Sequence, residues 1–313
     1  MTEKDYIQIS SLTRTFGELT ALEEINLSIA RGELFGLVGP DGAGKTTLLR
    51  TLAGLLHIQH GRVTAAGCGL ADQAEQLKRR IGYMAQEFSL YEKLTVRENL
   101  SFFAELYDVD LQDQETRINK LLEFAGLREF QDRRAAHLSG GMKKKLALIS
   151  TLLHQPPLLL LDEPTTGVDP ISRRDFWNIL SNLHLEGATI LVSTPYMDEA
   201  DRCSRVGLLF QGELVICETP ENIRGRLDGE LIKIIADDWI FDREALEGMD
   251  GVRKNQTDGE SQHVLVDSQE KRLPQLKARL QDAGLTIQEA RAISPRMEES
   301  FISLIRKMRR RVV

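Results

Sequence analysis

A glycine-rich segment at residues 39–47 carries the clearest chemistry in the sequence. Gly39, Gly44, Lys45 and Thr46 satisfy the pattern G-x-x-x-x-G-K-[ST], in which backbone N–H groups surround a chain of phosphates. A strand is predicted before the segment at 34–38 and a helix after it at 46–56, so the helix N-terminus would face the anion. The lysine would reach the β- and γ-phosphates, and the threonine hydroxyl would bind Mg²⁺. The segment therefore predicts a nucleotide site.

Two adjacent carboxylates, Asp162 and Glu163, follow four leucines at 158–161. A short, wholly apolar run is typical of a strand inside a parallel sheet that is covered on both faces. Both carboxylates would then lie at the carboxyl end of that strand. There, one would hold Mg²⁺ through water, and the other could polarise an attacking water.

A second glycine-containing turn, at residues 138–142, precedes a helix predicted at 142–153. Ser139, Gly140 and Gly141 could bind an anion through backbone donors and a hydroxyl. Alternatively, Ser139 could be a simple N-cap. The lysines at 143–145 are interpreted as the solvated face of the helix. Gln86 and Asp169, in the segments 82–86 and 167–170, complete the set of polar residues.

The surrounding elements alternate between strands and helices up to about residue 220, which predicts an α/β domain. Thr95 and Glu98 form a capping-box signature at the start of a mostly helical stretch, 95–153. After about residue 220, the predicted strands and helices follow the order β-α-β-β-α-β with one added helix. This order resembles a ferredoxin-like module. We predict domains at 1–222 and 228–313. The predicted elements of the second domain are strands at 231–236, 252–254, 263–266 and 286–293, and helices at 242–249, 271–283 and from 296 onward.

Composition narrows the class of protein. A chain of 313 residues has room for about two hydrophobic cores, and its net charge of −7 argues against nucleic acid as a partner. Cys68, Cys203 and Cys217 form neither a disulfide framework nor a zinc pattern and fit a reducing compartment. We expect no signal peptide, and no apolar run approaches the ~18 residues of a membrane helix. Any role at a membrane is therefore expected to need a partner.

In order and spacing, these motifs resemble the ATP-binding cassette (ABC) ATPases over about residues 5–220. The resemblance implies an α/β P-loop NTPase fold with a helical subdomain, followed by a small α+β ferredoxin-like module. It also implies an enzyme that hydrolyses ATP to ADP and phosphate with Mg²⁺. The alternative is a non-transport ABC ATPase acting on ribosomes or DNA, although such proteins usually carry two cassettes or a long coiled-coil insertion. A metabolic P-loop kinase would have no use for residues 138–141.

The resemblance also assigns roles to individual residues. Asp162 corresponds to the Walker B aspartate, Glu163 to the general base and Gln86 to the Q-loop residue linking nucleotide to the membrane partner. Phe16 matches the aromatic that stacks on adenine, although a core aromatic in a strand is the alternative. The implied catalytic residues are Lys45, Gln86 and Glu163, and the implied Mg²⁺ ligands are Thr46, Gln86 and Asp162. The implied nucleotide-binding residues are Phe16, Gly39, Asp41, Gly42, Ala43, Gly44, Lys45, Thr46, Thr47, Ser139, Gly140, Gly141 and Asp162.

Partners follow from the same resemblance. The signature at 139–141 contacts ATP bound to a second cassette, either a copy of this chain or a homologue. The segment 87–106 is where such proteins receive a membrane subunit. The C-terminal module looks like that of exporters with ABC-2 type permeases and implies dimerisation or regulation. Similarity to the first cassette of tandem multidrug exporters implies drug efflux, at the inner face of the cell membrane.

The switch loop departs from the family pattern. Histidine is usual where Pro195 stands, and the flanking residues 193–200 fix this register. Proline has no side-chain donor for the γ-phosphate and no backbone N–H. Asp41 is a milder departure, because asparagine is more usual there. Since losing one transition-state donor typically costs ~10²–10³ in rate, the sequence predicts slow hydrolysis at the chain's own site. A homodimer of weak activity and a heteromer with a different cassette both remain open.

Overall fold

The computed structural model describes residues 5–87, 90–236, 246 and 248–309, with side chains to residue 305 in the last helix. The chain divides into two compact units, Met1–Pro220 and Glu221–Val313. This boundary lies two residues before the end predicted for the first domain. Among the described residues, no helix is both long and apolar enough to cross a bilayer.

The first unit is organised around a mostly parallel sheet. Among its described residues, the strand order is β10-β9-β3-β8-β7-β6, in which only β10 runs antiparallel to its neighbour. A second, antiparallel sheet has the order β2-β1-β4-β5. The strands are β1 (Asp5–Phe16), β2 (Leu19–Ala30), β3 (Leu34–Val38), β4 (His60–Ala65), β5 (Cys68–Gly69), β6 (Ile81–Met84), β7 (Leu158–Asp162), β8 (Thr189–Thr194), β9 (Arg205–Phe210) and β10 (Glu213–Glu218).

The parallel strands bring the predicted chemistry to one edge of the sheet. β3, β7 and β8 are buried along their whole length, as expected for central parallel strands. Their carboxyl ends lie side by side, with Val38 paired to Thr194 and Asp162 to Ser193. In open α/β sheets, ligands bind beyond this edge.

The first unit contains the helices α1 (Lys45–Leu52), α2 (Ala74–Lys78), α3 (Val96–Leu106), α4 (Leu111–Phe124), α5 (Gly140–Leu152), α6 (Pro170–Leu185) and α7 (Met197–Ala200). Of these, α3, α4 and α5 lie between β6 and β7 and form a helical subdomain. A short helix, α8 (Pro220–Arg224), begins at the last residue of the first unit and belongs mainly to the second. The capping box predicted at Thr95 and Glu98 is present at the start of α3. The helix predicted at 46–56 ends earlier, because the chain turns at Gly54 with φ +69°.

The second unit contains an antiparallel sheet whose described strands have the order β12-β13-β11-β14. This is the order of a ferredoxin-like sheet. Its strands are β11 (Glu230–Ala236), β12 (Val252–Asp258), β13 (Ser261–Val266) and β14 (Ile287–Ile293), and its helices are α9 (Gln269–Asp282) and α10 (Met297–Arg309). Ile232, Ile234 and Val264 pack with Leu276 and Leu280 of α9 in its core. The helix predicted at 242–249 lies largely outside the described residues.

Candidate nucleotide site

The glycine-rich segment at residues 39–47, called the P-loop below, leads from β3 into α1 at the carboxyl edge of the parallel sheet. Gly44 precedes α1 with φ 106°, a conformation that favours glycine. A Cβ there would lie 2.4 Å from the Ala21 carbonyl oxygen, and one on Gly39 would lie 2.2 Å from that of Leu209. Glycine is therefore required at both ends of the loop by the packing of the chain itself. The helix that follows directs its first N–H groups toward the loop.

Lys45 lies across the loop and is 3% exposed. Its ammonium donates to the carbonyl oxygens of Gly39, at 2.8 Å, and Pro40, at 3.0 Å. It also forms an ion pair with Glu163, with Nζ 3.1 Å from Oε1. The cation thus lies between the glycine-rich backbone and the carboxylate predicted as the general base.

Asp162 ends β7 in a fully buried position. Its Oδ1 accepts hydrogen bonds from the Ser193 hydroxyl, at 2.8 Å, and from the Thr46 hydroxyl, at 3.1 Å. Its Oδ2 is buried without a hydrogen-bond partner among the described residues. Burial raises the pKa of the Asp162 carboxyl, and the two hydroxyls partly oppose this. A buried carboxylate oxygen with an unused lone pair beside a threonine hydroxyl fits the oxygen ligands that Mg²⁺ prefers.

Glu163 adopts φ +46°, a left-handed conformation that is uncommon outside glycine. Its backbone N–H is held by Ser193, at 3.2 Å from the carbonyl oxygen and 3.0 Å from the hydroxyl oxygen. Its Oε2 accepts from Gln86 Nε2, at 2.9 Å, and from the Thr166 hydroxyl, at 3.3 Å. The structure therefore brings together Lys45, Gln86 and Glu163, the residues implied to be catalytic.

A cavity of about 650 Å³ opens at this edge and is lined by residues 41–47, Gln86 and Glu163. Phe16 also lines it and is 45% exposed, so its interpretation as a core aromatic is wrong. The Arg14 guanidinium lies 4.8 Å from the centroid of the Phe16 ring and covers part of it. Four lining residues carry no signal in the sequence: Leu19, Thr20 and Ala21 at the start of β2, and Gln211 in the β9–β10 turn.

The signature residues lie elsewhere. Ser139, Gly140 and Gly141 are not among the described residues that line the 650 Å³ cavity. Ser139 caps α5 by accepting from the Met142 N–H at 3.3 Å, which is the simple N-cap geometry, and α5 begins at Gly140 rather than at 142. Within one chain, the signature and the P-loop therefore do not form a single site.

The two signature glycines differ in their surroundings. A Cβ on Gly141 would lie 2.4 Å from both Cβ and Oγ of Ser172 in α6, whereas a Cβ on Gly140 would meet its nearest atom at 3.8 Å. Gly141→Ala is expected to lower the free energy of unfolding by about 1–3 kcal/mol, because the helices must separate. Gly140→Ala is the matched control and is expected to be neutral or slightly stabilising. Urea unfolding of both variants checks this, and equal stabilities would contradict it.

The lysines after the signature are not a solvated face, contrary to the sequence-based interpretation. Lys143 Nζ lies 3.4 Å from Glu92 Oε1, Lys144 Nζ lies 2.9 Å from the Gln86 carbonyl oxygen, and Lys145 Nζ lies 3.3 Å from Asp175 Oδ2. Burial lowers the pKa of Lys144, while Glu163 and Asp162 act in the opposite direction. Each lysine thus joins the first turns of α5 to a different part of the unit.

The loops after β7 and β8 complete the edge. Asp169 caps α6 by accepting hydrogen bonds from the N–H groups of Ile171, at 3.1 Å, and Ser172, at 2.9 Å. These hydrogen bonds lower the pKa of the Asp169 carboxyl, and the bonds from Ser172 have the largest effect. Pro195 is half-buried in the turn between β8 and α7. Neither residue is among the described residues that line the 650 Å³ cavity.

Comparison with known proteins now defines the class. The family described as ABC transporter matches residues 22–166. The probable multidrug ABC transporter ATP-binding protein YbhF of Escherichia coli (strain K12) is 40% identical over 220 residues, which cover 70% of this chain and 38% of that protein. The daunorubicin resistance ATP-binding protein DrrA2 of Streptomyces coeruleorubidus is 32% identical over 307 residues, covering 95% of this chain and 94% of that protein.

A solved structure agrees with these matches. The dimeric post-hydrolysis structure of an ATP-binding cassette bound to ADP and Pi is 27% identical, with a TM-score of 0.62, over 68% of this chain and 98% of that one. The chain therefore belongs to the ABC transporter ATP-binding proteins, a family of ATPases whose cassettes bind ATP. It spans less than two fifths of the length of YbhF.

Proposed function

We propose that this chain is the ATP-hydrolysing subunit of an exporter that moves drugs through a separate membrane permease of the ABC-2 type. The observation that carries the proposal is the similarity to DrrA2, which extends over both units of this chain and nearly all of that protein. That relative is named for daunorubicin resistance, which supports drug-like compounds as the exported class. In this proposal, the chain is bound to the permease at the inner face of the cell membrane.

The geometry at the P-loop supports a role for each residue. Lys45 and the loop N–H groups would hold the phosphates, and Thr46, Asp162 and Gln86 would hold Mg²⁺. When bound, Mg²⁺ neutralises charge on the phosphates. Glu163 would accept the proton of the attacking water, since its carboxylate lies beside Lys45 at the phosphate end of the cavity. Phe16 offers an exposed ring for the base.

Two further parts of the proposal concern the second cassette and the rate. Because Ser139, Gly140 and Gly141 lie away from the chain's own cavity, they are free to contact ATP held by another cassette, either a copy or a homologue. The solved relative is itself dimeric, which supports this arrangement. Pro195 supplies no donor to the γ-phosphate, so the chain's own site is proposed to hydrolyse ATP slowly. The second unit is proposed to support dimerisation or regulation.

The proposal is tested by purifying the tagged chain from its own cells after detergent extraction of membranes. We expect it to copurify with a polytopic membrane protein, and ATP turnover of this complex to exceed that of the chain alone. Cells lacking the chain should accumulate an exported drug, and wild type but not Lys45→Ala should restore efflux. Recovery with ribosomes or DNA, without change in drug accumulation, would instead establish the non-transport alternative.

A further inference from the structure

Glu199 in α7 is a buried carboxylate that accepts hydrogen bonds from the loop after Glu163 and from the end of β8. Its side chain is 2% exposed. Oε1 accepts a hydrogen bond of 2.7 Å from the Thr165 hydroxyl, and Oε2 accepts a second one from the Thr194 hydroxyl. Glu199 is not among the described residues that line the 650 Å³ cavity, so it can act on hydrolysis only through other residues.

The two threonines flank the atoms that hold the general base. Thr165 lies two residues after Glu163, and Thr194 directly follows Ser193. The Ser193 hydroxyl accepts from the Glu163 N–H at 3.0 Å and donates to Asp162 Oδ1 at 2.8 Å. Glu199 therefore ties the loop after Glu163 to the strand end that contacts its backbone.

Glu163 needs such support because of its backbone conformation. A non-glycine residue at φ +46° is strained by about 1–3 kcal/mol and persists only when its surroundings hold it there. Ser193 holds the N–H side of the residue. On the carboxyl side, the bond from Thr165 to Glu199 is a buried anchor two residues away. Both anchors meet at the end of β8.

The negative charge of Glu199 is balanced from α6. Arg173 Nε lies 3.6 Å from Glu199 Oε1 but makes no hydrogen bond to a described residue, so it supplies charge rather than a directed bond. The Arg173 guanidinium also lies 4.1 Å from the centroid of the Tyr196 ring. The turn around Pro195 is thereby fixed on both sides, at Thr194 by Glu199 and at Tyr196 by Arg173.

From these contacts we infer that Glu199 is a positioning residue for Glu163. By bonding Thr165 and Thr194 together, it keeps the strained backbone of the general base against Ser193 and the carboxylate aimed into the cavity. The inference rests on the proposed role of Glu163 in hydrolysis. It assigns Glu199 no contact with nucleotide or Mg²⁺.

The test compares Glu199→Gln with Asp198→Asn in the full chain. Glutamine keeps the size of the side chain but replaces one of the two acceptors with a donor. Asp198 is the matched control, because its exposed carboxylate also faces Arg173, at 4.0 Å, and touches neither threonine in the described structure. We expect Glu199→Gln to lower kcat by about 10- to 100-fold while KM and the Kd for ATP change less than about twofold. Asp198→Asn is expected to leave all three within about twofold.

Two substitutions of Thr165 test the same inference if the Glu199→Gln variant does not fold. Thr165→Val removes the hydroxyl at nearly constant volume, whereas Thr165→Ser retains it. We expect kcat to fall in the valine variant and to stay close to wild type in the serine variant, with similar melting temperatures. In a Glu163→Gln background, adding Glu199→Gln should slow hydrolysis no further, because both changes remove the same contribution.

Several outcomes would overturn the inference. A lower melting temperature with unchanged kcat would make Glu199 a purely structural residue. A parallel loss of ATP affinity would mean that it supports the whole site rather than the base. Equal rates for wild type and Glu163→Gln would remove the role of Glu163 itself, which distinguishes failure of the proposed function from failure of the role of Glu199.

Discussion

Glu163→Gln is expected to slow ATP hydrolysis by about 10²–10⁴-fold while ATP still binds. Glutamine fills the same space but cannot accept a proton from water. Lys45 keeps its bonds to the carbonyl oxygens of Gly39 and Pro40, so the P-loop should remain formed. Single-turnover phosphate release, beside equilibrium binding of ATP, measures the two effects separately.

The control for this substitution is Glu186→Gln, which changes an exposed glutamate that does not line the 650 Å³ cavity in the described structure. It should leave turnover unchanged. If Glu163→Gln hydrolysed ATP at the wild-type rate, another group would have to accept the proton, and the assignment of Glu163 would be wrong.

Pro195→His is expected to raise kcat by about 10²-fold, because it restores a donor for the γ-phosphate. The substitution should not require the backbone of the turn to change. Thr194 is bonded to Glu199, the Tyr196 N–H donates to the Thr194 hydroxyl at 3.0 Å, and Arg173 covers the Tyr196 ring. A histidine at 195 would therefore start from a turn that is already held in place. Steady-state turnover of the purified chain, over a range of ATP concentrations, gives kcat and KM.

Pro195→Ala separates the side chain from the backbone. Alanine restores the backbone N–H that proline lacks but adds no side-chain donor. We expect kcat of Pro195→Ala to remain as low as that of wild type. If kcat rose as much in Pro195→Ala as in Pro195→His, the missing backbone N–H of Pro195, rather than the missing side-chain donor, would explain slow hydrolysis. Brisk turnover in wild type, with no gain in either variant, would contradict slow hydrolysis and favour a self-sufficient homodimer.

Much of the fold was predictable, because its signals are local in the sequence. The apolar run before Asp162 and Glu163 indicates a central parallel strand, and strands of this kind place their carboxyl ends at one edge. The pattern around Lys45 specifies its own loop and the helix after it. The capping box at Thr95 likewise depends on residues three positions apart.

The remainder depends on contacts between distant segments, which one sequence cannot show. Lys143, Lys144 and Lys145 have the pattern of a solvated face, but their partners come from the Q-loop, from residue 92 and from α6. Glu199 is 34 residues from Thr165, its partner across the site. Phe16 is the last residue of the long strand β1, and its exposure depends on the packing around that strand end, which the sequence does not show.

The unequal packing of the two signature glycines affects how relatives of this chain can be compared. The packing of α5 against α6 requires glycine at position 141, because a Cβ there would collide with Ser172. Gly141 should therefore persist through evolution even in cassettes that no longer contact a partner's nucleotide, unless α6 changes with it. A Cβ on Gly140 would meet its nearest atom at 3.8 Å without a clash. Under the proposed contact with ATP of a second cassette, loss of Gly140 in a lineage would therefore record relaxed selection on that contact. Under that proposal, position 140 rather than 141 would distinguish working from degenerate signatures.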